Sequence, residues 1–166
     1  MLAEHGVNTS VVRLPQVHDT VKQGLVTYAI GIAREKGISA YVADGRNRWA
    51  AVHLLDAARL YRLALENAKP GARYHAVAEE GVFARDIAEV IGRGLNVPVR
   101  SISAEEAAAH FGALAGFVGL DLAASSAQTR KQLGWNPTGR GLIPDLENVR
   151  YFETGVLSAA PVRAAG

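Results

Sequence analysis

At 166 residues, with 49% hydrophobic residues, the chain holds enough apolar material for one domain with a sizeable core. A formal charge of +2 from scattered basic and acidic residues, without a Lys/Arg run, argues against a nucleic-acid partner. The absence of cysteine excludes disulfides and thiolate metal sites. No apolar run approaches the ~20 residues that span a bilayer, and Met1–Gly6 lacks a signal peptide's cationic and apolar regions. The expectation is a soluble, cytoplasmic protein without a membrane partner.

Leu2-Ala3-Glu4-His5-Gly6 reads as the end of a helix closed by Gly6, so the chain is expected to start within a longer fold. Val7 to Leu14 is a strand carrying β-branched Val11 and Val12, and Pro15 stops it. Asp19 or Thr20 caps a helix running to Lys36, with Val21, Leu25, Tyr28, Ala29 and Ile32 at helical spacing and Gly37 closing it. Ser39 to Ala43 is a strand, followed by the turn Asp44-Gly45.

The densest polar stretch runs from Gly45 to Glu66. It combines a glycine turn, Arg46 and Arg48, a short apolar run at Val52–Leu55 carrying His53, and a helix Ala57–Asn67 capped by Asp56. Arg73 to Val77 is another strand, Phe83 to Gly94 a helix, and Val97 to Ile102 a strand. Ser103 and Glu106 form a capping box for an Ala-rich helix reaching about Leu120. Ser125 or Ser126 caps a further helix to Leu133, closed by Gly134. Leu142 to Phe152 is a last helix with Pro144 in its first turn. Residues 1–153 form one unit, and 154–166 read as a disordered tail. Short strands alternating with helices predict an α/β fold with parallel pairing.

Candidate chemistry is sparse. The glycines at 112, 116 and 119 mimic a dinucleotide fingerprint, but they lie within the apolar helix and no strand precedes them, so packing is the better account. None of Tyr28, Tyr41, Tyr61, Tyr74 and Tyr151 has a lysine four residues on. The histidines His5, His18, His53, His75 and His110 lack metal-ligand spacing, so no metal site is expected. His53, between Val52 and Leu54, reads as structural. His18 lies where α/β sheets place ligands, and equally suits an ordinary loop. Arg48 is a stronger anion or polar-ligand donor than Arg46, because Trp49 beside it offers an apolar wall.

Four segments carry a resemblance. They are Val11-Val12-Arg13-Leu14-Pro15; Gly45–Arg48 with Val52-His53 and Asp56-Ala57-Ala58; Tyr74–Val77 with Ala84–Ala88; and Thr129–Pro137. In this order they resemble the C-terminal half of the extended short-chain dehydrogenase/reductase family, of the NAD-dependent epimerase/dehydratase type. The resemblance implies the C-terminal portion of a Rossmann-like NAD(P)-binding fold with its helical substrate lobe. The family's nucleotide-binding strands, cofactor glycines and catalytic Tyr and Lys lie upstream of the segment matched by Val11–Pro15. The chain is therefore expected to carry no catalytic residue and to bind NAD or NADP poorly by itself.

By the same resemblance, Pro15 lies at the nicotinamide end, and Gln16, Val17, His18, Arg48 and Trp49 face a small-molecule substrate. His53 and Asp56 support the substrate lobe. Trp49-Ala50 departs from the family's common Asp-Phe/Tyr, which implies a smaller or more apolar carbonyl or alcohol in place of a sugar nucleotide. A parallel sheet without its first strands exposes an edge, so association through that edge or homo-oligomerisation is expected. The alternative function is a non-catalytic binding or interaction module built on the same fold.

Overall fold

The computed structural model describes residues 8–67, 69–148 and 152. The first half runs β1 (Val11–Arg13), β2 (Gln16–His18), α1 (Val26–Lys36), β3 (Ser39–Val42), β4 (Arg48–His53) and α2 (Leu54–Glu66). Then follow β5 (Arg73–His75), β6 (Glu79–Phe83), α3 (Ala84–Leu95), β7 (Val99–Ile102), α4 (Ala104–Phe111), α5 (Ala115–Val118), α6 (Ala127–Leu133) and α7 (Leu142–Glu147). The pairs β1–β5, β2–β4 and β3–β7 are parallel, as the alternation of strands and helices predicts. Among the described strands, β6 alone runs antiparallel, against β4.

Several elements differ from the sequence expectation, each for a local reason. Pro15 does not end the strand region; it divides it. With no N–H to donate, it interrupts the ladder, and the chain leaves β5 to resume as β2 against β4. The helix expected from Asp19 begins only at Val26. Asp19 Oδ1 instead accepts the N–H groups of Val21 and Lys22, both at 2.6 Å, and forms a turn.

Asp56 is not the helix cap. α2 starts two residues earlier, and His53 Nδ1 accepts the Leu55 N–H at 3.2 Å. β6 has no apolar alternation in Glu79-Glu80-Gly81-Val82-Phe83; its neighbour β4 makes it a strand.

The capping box stands as read, with Ser103 Oγ accepting from Glu106 N at 3.2 Å and Glu106 Oε2 from Ser103 N at 2.8 Å. The helix it opens stops at Phe111, because Gly112 at φ +54° turns the chain into a single 3-10 turn before α5. Before α6, Ser125 Oγ accepts from Ala127 N, whereas Ser126 Oγ donates to the Val77 carbonyl. α7 is described only to Glu147. The helix turn expected at Met1–His5 and the tail expected from 154 lie outside the described residues.

β4 partitions the interior. Its side chains alternate, so Trp49 and Ala51 join Ile30, Ile87, Ile91 and Phe111 in one core, while Val52 joins Leu60, Tyr74, Leu133 and Trp135 in another. α3 packs closely on the β3–β7 pair at Gly92. A Cβ there would run into a Val99 methyl and lie 3.1 Å from the Val97 carbonyl oxygen. Alanine favours a helix by about 1 kcal/mol over glycine, but overpacking costs about 1–3 kcal/mol. Gly92→Ala is therefore expected to lower stability by about 1–2 kcal/mol in urea denaturation; a gain would show that α3 can move away from β7.

Candidate functional site

An open cleft of about 770 Å³ lies just past the carboxyl ends of the parallel strands β1 and β5. α/β sheets place ligands at that position. Pro15, Gln16, Val17 and Trp49 line it together with Leu25, Tyr28, Phe117 and Leu122. The structure thus brings four of the sequence-nominated residues into one wall. Gln16 is itself buried, and its Oε1 accepts the Leu25 N–H at 2.9 Å, holding the 19–25 turn against the cleft. Trp49 is buried too, and its indole N–H has no partner.

Two polar residues in the cleft were not singled out as site residues from the sequence. β1–β5 register sets Arg13 opposite His75. Arg13 Nη1 lies 3.4 Å from His75 Nε2, and His75 Nδ1 lies 3.2 Å from the Ser125 carbonyl. A carbonyl only accepts and a guanidinium only donates, so the contacts select the tautomer with its proton on Nδ1. The parallel pairing itself was the signal; it requires knowing which strands are neighbours.

His18 and Arg48 do not line the cleft. His18 turns inward, wholly buried, with Nδ1 2.8 Å from Oδ2 of the equally buried Asp145 on α7. A smaller hollow of about 400 Å³ is bounded by Val17, His18, Lys22 and Tyr28. The rings of His18 and His53, opposite each other in the β2–β4 register, meet edge to face at 5.8 Å. His53 Nδ1 takes the Leu55 N–H, so its proton sits on Nε2, 3.8 Å from the same Asp145 oxygen. His18 Nε2 has no hydrogen-bond partner and stands 3.9 Å from Glu79 Oε2.

Glu79 and Asp56 fasten the loop that leads to α7. Glu79 Oε2 accepts the Leu142 N–H at 2.7 Å. Asp56, fully buried, accepts Gly139 N–H at 2.6 Å, Thr138 N–H at 3.2 Å and Arg59 Nη1 at 2.9 Å. A Cβ at position 139 would stand 2.5 Å from the His53 Cβ, so the loop approaches this closely only as glycine. Arg48 lies beside the cleft, one residue before Trp49. Its Nη2 and Nε donate to Asp121 Oδ2 and Oδ1 at 2.7 and 3.1 Å. Asp121, 73 positions away, could not be paired with it from the sequence.

Among the described residues, no group of three or more His, Asp or Glu side chains is placed to hold a metal ion. No helix among them is long and apolar enough to cross a membrane.

No family model matches the chain. An uncharacterised protein of Schizosaccharomyces pombe is 47% identical over 151 residues, covering 90% of this chain and 51% of the relative. An uncharacterised protein of Saccharomyces cerevisiae is 49% identical over 144 residues, covering 86% and 48%. The chain spans about half the length of the curated relatives it matches.

Among solved structures, a dTDP-glucose 4,6-dehydratase from Streptomyces venezuelae with NAD bound superposes at TM-score 0.62 and 17% identity, over 89% of this chain and 44% of that one. The UDP-glucuronic acid 4-epimerase of Bacillus cereus, in complex with UDP-glucuronic acid and NAD, gives 0.63 and 15%, over 89% and 46%. The UDP-glucose 4-epimerase of Thermus thermophilus with NAD gives 0.62 and 16%, over 91% and 48%. The chain has the α/β, Rossmann-like fold of these NAD-dependent epimerases and dehydratases, over about half of their length.

Two consequences follow for stability. Burial pushes the His18 pKa below its ordinary value, against the opposing pull of Asp145 and Glu79 and with a further lowering from His53. A folded-state pKa below the unfolded one means the unfolded chain binds the extra proton first. Stability is then complete above pH ~6.5 and falls as pH drops from there toward the folded-state value. His18→Gln is expected to flatten that part of a stability-against-pH curve from chemical denaturation. His110, lowered by its own burial and by Lys36, adds a slope of the same sign that this variant retains. Asp56→Ala strands two backbone donors and an arginine, and is expected to cost about 2–4 kcal/mol in urea denaturation.

Proposed function

We propose that this chain forms the substrate-side wall of an NAD(P)-dependent oxidoreductase or epimerase acting on a small carbonyl or alcohol. The observation that carries the reading is the cleft past the ends of β1 and β5, where Pro15, Gln16, Val17 and Trp49 converge. Its surface is mainly apolar, supplied by Leu14, Pro15, Leu25, Phe117 and Leu122. Such a wall favours a compact, apolar-faced substrate over a sugar. Arg13 and His75 are the groups able to orient its oxygen. In this reading Pro15 faces the nicotinamide, Arg48 guards the rim, and the buried His18–Asp145 pair supports Val17 from behind.

The residues present do not fit the cofactor's pyrophosphate. That group needs a glycine turn between a strand and a helix. The glycines at 112, 116 and 119 instead fall in a helical stretch from α4 through α5, with positive φ only at Gly112. No hydride step is therefore assigned to these residues. A second reading, a non-catalytic module that pairs with a partner, is favoured by Val11 in β1 and Leu14 just after it, exposed at 52% and 48%.

Fluorescence titration of the chain with NADH and NADPH is expected to show no binding tighter than about 1 mM. Small uncharged ketones and aldehydes are expected to shift the NMR signals of the Trp49 indole N–H and the His75 ring. Micromolar cofactor binding would contradict the assignment of the pyrophosphate cradle elsewhere. Carbonyl compounds that leave both signals unmoved would remove the substrate reading.

A further inference from the structure

Asp121 is placed to do more than decorate a surface. Its Oδ1 accepts the Arg48 backbone N–H at 2.8 Å as well as Nε, while Oδ2 accepts Nη2 at 2.7 Å. The segment around it is fastened to β4 on both sides. Asn47 Nδ2 donates to the Val118 and Leu120 carbonyls at 2.9 and 3.0 Å. The Leu122 N–H donates to the Arg48 carbonyl at 2.6 Å, and the Ala50 N–H to the Leu122 carbonyl at 3.3 Å. Leu122 itself lines the cleft. The stem of Arg48 lies across Gly81 of β6, where a Cβ would stand 2.8 Å from that of Arg48. Both halves of the pair are thus held in place by backbone geometry.

We propose that Asp121 sets the charge specificity of the cleft. By occupying the guanidinium of Arg48 with two parallel hydrogen bonds, it withholds that cation, at the rim of the cleft, from the phosphate or carboxylate groups of a ligand. The proposal rests on reading the cleft as the substrate site. A fork-shaped guanidinium binds phosphate and carboxylate in the same bidentate manner, so a built-in carboxylate competes with an incoming one directly. Each partner's charged form is favoured by the other: the Asp121 carboxyl is held below its usual range, chiefly by the Arg48 side-chain hydrogen bonds. The gate therefore stays closed across the physiological range. Arg13, which lines the cleft itself, lies against His75 and is separate from this rim pair.

The test is calorimetric titration of the full chain with UDP as the anionic probe. The unmodified protein is expected to give no measurable heat of binding. Asp121→Asn keeps an oxygen for the Arg48 N–H but loses the charge, and is expected to bind UDP about tenfold tighter or more. Adding Arg48→Met is expected to abolish the gain. Should Asp121→Asn fail to fold, Asp121→Ser gives the same comparison.

No gain in either variant, a gain that survives Arg48→Met, or tight UDP binding by the unmodified chain would each overturn the proposal. The carbonyl titration on the same samples separates the two readings. Carbonyl binding without the UDP gain removes the gate alone. A UDP gain without carbonyl binding leaves Asp121 controlling an anion site and removes the substrate assignment.

Discussion

Parallel pairing in fixed register decides where every polar group around the cleft stands. β1 against β5 puts Arg13 opposite His75, and β2 against β4 puts His18 opposite His53. Side chains on a strand alternate between faces, so a slip of one residue in either pair would exchange buried and exposed groups. The backbone ladder is therefore the device that keeps a guanidinium and an imidazole in the open cleft and a second histidine pair inside. Pro15, by interrupting that ladder, lets one short segment serve both pairs in succession.

Behind the cleft, the loop and helix from Thr138 to Glu147 are held by carboxylates. Asp56 takes backbone donors of the loop, Glu79 takes the first N–H of α7, and Asp145 on α7 reaches back to His18. In the interior each of these bonds is strong, and each lost partner would leave a costly orphan. Such a network fixes the loop in one position. The His18–Asp145 hydrogen bond offsets part of the cost of burying both side chains. The same arrangement keeps His18 away from solvent, which suits a supporting part better than direct proton exchange.

The cleft and the buried network share β2 and β4. Val17 faces the cleft while its neighbours Gln16 and His18 are buried, and Trp49 bridges the cleft wall and the core formed by Ile30, Ile87 and Phe111. Trp49 ties the wall to a close-packed interior, while Leu14, Tyr28, Phe117 and Leu122 line it from exposed positions. The segment around Asp121 runs parallel to the start of β4, bridged to it at Leu122 and Trp49.

Much of this protein is legible in its sequence. The α/β class, the capping box at Ser103 and the left-handed closures at Gly37 and Gly134 follow from local chemistry: spacing, caps and turn residues. Local chemistry fails where a distant partner outweighs it. β6 is a strand only because β4 lies beside it. Asp56 looks like a helix cap in sequence, yet the helix starts earlier and its carboxylate serves a loop more than 80 positions away. His18 looks like a loop histidine until α7 brings Asp145 to it, and Arg48 looks like a free cation until Asp121 closes on it. The sequence by itself determined those elements whose spacing, caps and turn residues are local. Tertiary structure alone decided which charges are compensated, because those pairs join residues that only folding brings within hydrogen-bond reach.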